Sequence, residues 1–186
     1  IQQLGHYILS TPEFYDLPRK FNIAVDGGGL IGAVEDTNDI GVKAVRVERG
    51  TGLFEETPVA FRIALGGATG HKAFARDVGI LVPPDQMVRV VLAMVRVFIA
   101  NGDRSNRKKS RLKHLLESWT LNQYVSETEK LLAAPLQRVP LAADGLPGFV
   151  VEVEVFDVGG IVVGAVEDAT PVVAADRELK LALHVF

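Results

Sequence analysis

The chain has 186 residues, 48% of them hydrophobic and 23% charged, with a formal net charge of −3. That composition fits a globular protein of one domain or one and a half, and the slight acidity excludes a general nucleic-acid binder, which needs a positive excess. There is no cysteine, which excludes disulfides, thiolate zinc sites and thiolate-held iron–sulfur clusters within this chain.

Residues 1–16 read as a short helical or irregular lead-in, in which Ser10-Thr11-Pro12-Glu13 has the form of an N-cap followed by proline at the first helical position. "FNIAV" (21–25) is a short strand ended by Gly27-Gly28-Gly29, and "VKAVRVE" (42–48) alternates with period two. "VAFRIALGG" (59–67) is a further strand closing on glycine. In "PPDQMVRVVLAMVRVFIANGD", Met87, Val91, Met94 and Phe98 share a helical face with Val88 and Val95, opened by Pro83-Pro84 and ended by Gly102. A second helix is expected from Ser105–Asn106 through "RKKSRLKHLLESW", and a third over "NQYVSETEKLLAA". "LQRVPLAADGLPG" (136–148) reads as a linker, and "FVVEVEVFD", "GGIVVGAVE" and "ELKLALHVF" as three strands. The predicted organisation is an α+β part over 1–138, a mixed sheet covered by helices, then a linker and an incomplete β-rich segment over 139–186. Apolar runs are broken by Arg, Lys or Gly well short of the roughly 18 residues of a membrane span. The chain opens at Ile1 without a signal-peptide pattern and is read as a piece of a longer protein.

Four features invite a chemical reading. Arg19-Lys20 is either a solvated pair or an anion site, where Arg offers a planar fork and Lys a point charge. The glycines 27–29 and Gly66, Gly67 and Gly70 either make tight turns or bring backbone close to a ligand; neither a dinucleotide fingerprint nor a phosphate-loop spacing is present. Between 104 and 113 there are six cations and no acid. On a helix, Arg104, Lys108 and Arg111 share one face, with Arg107 at its edge, which makes either a solvated face or a surface for a multiply charged anion. No aromatic residues interleave with them, which argues against nucleic acid. Asp36, Asn38 and Asp39 in "EDTNDIG" are hard oxygen donors, yet their spacing fits no calcium loop and turn chemistry explains them. The four histidines are scattered, with no ligand spacing, and no metal site is expected.

In order and spacing, "DLPRKFNIAV", "NDIG", a strand ending "LGG" and "FIANGDRSNRKKSRLKHLLE" resemble the siroheme-dependent nitrite and sulfite reductases, over roughly residues 10–132. The resemblance implies the first of two α+β repeats that hold siroheme bridged to a [4Fe–4S] cluster, with the tail starting a ferredoxin-like half-domain. It implies that Lys20 faces the substrate anion and that Arg19, Arg107 and Arg111 serve siroheme carboxylates. By the same token, Gly66 and Gly67 would pack against the macrocycle. Asn22 falls where sulfite-reducing members carry a second lysine; its side chain is expected on the same strand face as Lys20, and it points to nitrite, the smaller monoanion. The cluster cysteines, in a C-x5-C and C-x3-C pattern, are expected downstream of this chain, so the chain alone should be inactive. Ferredoxin or a flavoprotein is the implied electron donor, a small anion the substrate, the cytoplasm the location. A sulfite reductase, a precorrin-modifying relative and a non-catalytic anion- or protein-binding module stay open as alternatives.

Overall fold

The computed structural model describes residues 1–28, 32–47, 53 and 58–141, together with the backbone of four short segments, 150–152, 155–158, 161–164 and 183–184. The elements in chain order are α1 (Gln2–Ser10), β1 (Asn22–Asp26), β2 (Ile40–Val47), β3 (Val59–Leu65), β4 (Arg76–Val82), α2 (Met87–Asn101), α3 (Leu112–Leu115), α4 (Leu121–Leu132) and β5 (Gln137–Arg138). They are followed by β6 (Val150–Glu152), β7 (Val155–Val158), β8 (Ile161–Gly164) and β9 (Leu183–His184). The main sheet runs β5-β4-β3-β2-β1-β9, and β6 joins β2 beyond the end of β1. Among the described residues only β1 and β2 are parallel, with Ile23 opposite Ile40; the other pairings described are antiparallel. β7 and β8 form a separate hairpin.

Alternation along the strands separates two apolar clusters. Ile23, Val25, Ile40, Val42, Ile63, Leu65, Ile80 and Val82 face α1, α2 and α4, and form one core with Leu4, Phe14, Phe21, Met94, Phe98 and Tyr124. Val45, Val47, Ala60, Leu81 and Val139 make a smaller cluster on the opposite face. α2 is buried over most of its circumference, including Val90, Leu92, Ala93 and Val97. It therefore carries more apolar positions than the single face seen in its sequence, as expected of a helix held between a sheet and a second helix. This arrangement is the expected α+β class, a mixed sheet with helices packed on it.

Several boundaries differ from the sequence reading. α2 starts at Met87 rather than at the prolines, because Pro83 to Gln86 form a turn closed by Gln86 N–H to Pro83 O at 3.0 Å. Thr11 makes no side-chain cap; Pro12–Phe14 is one 310 turn, and Ser10 Oγ donates back to His6 O at 2.7 Å. The helix expected from residue 105 shrinks to the four residues Leu112–Leu115, so the shared helical face of Arg104, Lys108 and Arg111 does not exist. β4 was not expected at all. Gly79 takes φ +69, and pairing slips between Arg62–Leu81 and Ala64–Asp77, so a bulge hides the strand's alternation. β5 lies in the expected linker and is too short to show a pattern. Gly29, Glu48 and residues 165–182 lie outside the described residues.

Candidate anion-binding site

The chain enters β1 through a turn. Phe21 N–H donates to Pro18 O at 2.8 Å, so Arg19 and Lys20 occupy the two central positions and are exposed. Phe21 itself is fully buried and stacks on Phe98 with ring centroids 4.7 Å apart. The burial of that ring fixes the base of the turn and directs the two cations outward. Lys20 lies before the strand rather than in it, so strand alternation does not place its side chain on the face of Asn22, contrary to the sequence expectation. Asn22 is half-buried at the first position of β1.

Residues 103–111 form a second basic segment built of turns. Asp103 Oδ1 accepts from Ser105 N at 3.0 Å, Ser105 Oγ at 2.7 Å and Asn106 N at 3.1 Å, and Asn106 Oδ1 accepts from Lys108 N at 3.0 Å. Short Asp and Asn side chains have captured the backbone donors that a helix would use, and the run of like charges removes any reward for winding it. The same bonds, led by that from the Ser105 hydroxyl, hold the exposed Asp103 carboxyl below its usual range. Arg104 ties this segment to the first one through Asp16, with Nη1 2.8 Å from Oδ2 and 3.2 Å from the main-chain O. Arg107, Lys108 and Lys109 are exposed.

Asp39 joins the two segments. It is completely buried, and its Oδ2 accepts from Asn22 N at 2.9 Å and from Arg111 Nη2 at 2.8 Å. Its Oδ1 accepts from Arg111 Nε at 2.9 Å and from Leu112 N at 3.1 Å. Burial pushes the Asp39 carboxyl up, while Arg111 and the two amides pull it back. The four donors have fixed protons, and a protonated carboxyl would have to turn one of its own against them, so the ion pair is the form this geometry holds. Arg111 therefore faces Asp39, with Gly67 O a further acceptor at 3.4 Å. The sequence left Asp39 among turn residues; the signal it offered is an acid placed directly before a buried strand.

Gly66 and Gly67 lie beneath this ion pair, both buried. Gly66 N–H donates to Asp39 O and Gly67 N–H to Asn38 O, each at 2.9 Å, so neither amide is left for an anion. A Cβ on Gly67 would sit 2.3 Å from Asp36 O and 2.5 Å from Asn38 O. One on Gly66, at φ +93, would sit 2.9 Å from Leu116 Cδ1. The close approach these glycines permit is that of the chain to itself. Asn38 gives its amide to Val34 O at 2.8 Å, so Asn38 and Asp39 are both turned to partners within the chain. Among the described residues no group of three or more His, Asp or Glu converges as a metal site.

Strand polarity puts these parts at one end of the sheet. β1 and β2 start there, and β3 ends there, because Ile40 is opposite both Ile23 and Leu65. The turn 18–21, the segment 103–111, the 66–75 connection with exposed Lys72, and exposed Arg76 at the start of β4 all belong to that end. Arg19, Lys20, Arg107, Lys108 and Lys109 form no ion pair among the described residues. A chain with net charge −3 thus carries a local positive excess at one edge.

The model of the family described as "Nitrite and sulphite reductase 4Fe-4S domain" matches residues 1–136. The chain belongs to this family. It is 32% identical over 127 residues to the ferredoxin–nitrite reductase of Synechococcus elongatus, covering 67% of this chain and 23% of that protein. It is 35% identical over 129 residues to the NADPH sulfite reductase hemoprotein beta-component of Myxococcus xanthus, covering 65% and 22%. The solved structure of Mycobacterium tuberculosis NirA superimposes with a TM-score of 0.59 at 26% identity, over 75% of this chain and 25% of that one. The chain thus spans about a quarter of the length of these relatives.

The nitrite and sulfite reductase family implies siroheme and an iron–sulfur cluster, and the residues present fit these two groups differently. A cluster needs thiolates and the 186 residues contain no cysteine, so its ligands are not in this chain. Siroheme is a polycarboxylate, and the unpaired cations gathered at one end of the sheet are the donor set such a ligand needs.

Proposed function

We propose that this chain is the part of a siroheme-dependent nitrite or sulfite reductase that presents cations to the macrocycle's carboxylates and to the substrate anion. The observation that carries this reading is the junction at Asp39, which brings the Arg19–Lys20 turn and the 103–111 segment to one end of the sheet, where Arg19, Lys20, Arg107, Lys108 and Lys109 form no ion pair among the described residues. Siroheme, when bound, supplies the iron at which the anion is reduced. In this reading Arg19 and Arg107 bind carboxylates, and Lys20 holds the substrate anion, stabilises charge on departing oxygens and donates protons. Gly66 and Gly67 shape the pocket by close backbone packing, and Arg111 gives Nε and Nη2 to Asp39.

Asn22 favours nitrite within this reading, because an amide in place of a second lysine lowers the pocket's charge and suits a monoanion. Relatives named for nitrite and for sulfite are both similar to the chain, so the choice rests on Asn22. The electron donor is proposed to be ferredoxin, named in the Synechococcus relative, and the location the cytoplasm. No helix among the described residues is long and apolar enough to cross a membrane. The chain by itself is proposed to be inactive, lacking the cluster ligands, and its division near residue 138 is supported by the end of the family match at residue 136.

The test is a nitrite titration of the full-length, siroheme-loaded protein, followed through the siroheme absorption band. Lys20→Met should weaken nitrite binding at least about tenfold, the scale of one lost charge-assisted contact. An unchanged dissociation constant rejects the assignment.

A further inference from the structure

In the Asp39–Arg111 pair beside the site, Asp39 is fully buried and Arg111 is mostly covered. Its connections suggest what it does. Through Oδ2 it fixes the N–H of Asn22, two positions after Lys20; through Oδ1 and Arg111 it fixes the residue at which the basic 103–111 segment ends. Phe21 seals the intervening position by stacking on Phe98. The second tether, Arg104 to Asp16, is on the surface, with the Asp16 side chain 86% exposed, and is therefore the weaker constraint. The distance between the two basic segments is thus set chiefly by one carboxylate.

From this we infer that Asp39 and Arg111 are positioning residues for Lys20: the bidentate pair holds the start of β1 in register with the 103–111 segment and so aims the Lys20 ammonium at the substrate anion. This rests on the proposed role of Lys20 and goes beyond it. The charge of Arg111 is neutralised by Asp39, so what matters at position 111 is fork geometry, which lysine lacks.

A double-variant cycle in the full-length siroheme protein tests it, using nitrite as the probe and the siroheme band as the readout. Arg111→Lys should raise the nitrite dissociation constant about tenfold on the native background and less than about twofold on a Lys20→Ala background, because its effect passes through Lys20. The same factor on both backgrounds, or no effect on either, overturns the inference while leaving the role of Lys20 intact. If Lys20→Ala alone leaves nitrite binding unchanged, the underlying functional reading is what fails. Should Arg111→Lys not fold, the neutral pair Asp39→Asn with Arg111→Gln, which removes both charges of the pair and keeps a hydrogen bond, replaces it in the cycle with the same expectations.

Discussion

Gly67 shows how tightly the site is set at the level of single residues. The atoms that a Cβ would meet at 2.3–2.6 Å all belong to the backbone of Asp36 and Asn38, so no side-chain rotation relieves the clash. Gly67→Ala should lower stability by about 2–3 kcal/mol, the cost of overpacking a site that cannot yield. A denaturant midpoint shift at unchanged slope checks it. Tyr124 is a smaller case: its buried hydroxyl donates to Met94 O at 2.6 Å, and burial pushes its ionisation far above the usual range, so it stays protonated. Tyr124→Phe should cost about 1 kcal/mol, because Met94 O keeps its place in the α2 hydrogen-bond ladder. At Asn22 the expected outcome is functional. Asn22→Lys in the full-length protein should shift relative turnover from nitrite toward sulfite, measured as the ratio of the two kcat/KM values; an unchanged ratio removes Asn22 as a specificity residue.

At the scale of elements, α4 and the edge strand β5 are held together by Glu129. Its Oε1 accepts from Leu136 N at 3.0 Å and its Oε2 from Arg138 Nη2 at 2.9 Å, and chiefly the bond from Arg138 holds the carboxyl below its ordinary value of 4.5. The folded-state value is the lower one, so the clamp stabilises fully above the unfolded value and is lost as pH falls through the folded one. Protection of the Gln137 and Arg138 amides, measured against their intrinsic exchange rates, should therefore fall below about pH 4.5 in the native chain, and Glu129→Gln should abolish that dependence. Such elements also show where the sequence was readable. Strands β1 to β3 and helices α2 and α4 declare themselves because one apolar period governs each. β4 does not, since its bulge at Gly79 and the inward Asp77 paired with Arg62 at 2.7 Å break the period. The 103–111 segment misleads because the residues that suit a helix face, Arg107 to Lys109, are overruled by two side chains, Asp103 and Asn106, that cap turns. Arg111 was legible as a cation, but its partner lies 72 residues away, a relation that no local pattern carries.

For the molecule as a whole, the distribution of core residues sets which part should stand alone. Among the residues whose side chains are described, every member of the two buried apolar clusters falls between Leu4 and Val139. Among the described residues, β6 pairs with β2 over three residues and β9 with β1 over two. A chain shortened to residues 1–141 should therefore unfold in a single cooperative transition with a Tm within about 4–8 °C of the 186-residue chain, the shift expected for roughly 1 kcal/mol in a small domain. A broad, non-cooperative melt would instead mean that residues beyond 141 complete the fold, and would move the domain boundary. The same shortened chain separates folding from the charge arrangement at the sheet end. The unpaired cations there are exposed, so their attraction for a polycarboxylate should be screened over a Debye length of about 8 Å at physiological salt. Stability, carried by the buried clusters and by an Asp39–Arg111 pair whose carboxylate is fully buried, should change little between low and high salt. Binding of a tetracarboxylate probe to the intact protein should weaken steeply over the same range. Equal salt sensitivity of melting and binding would place the deciding charges inside the fold rather than on its rim.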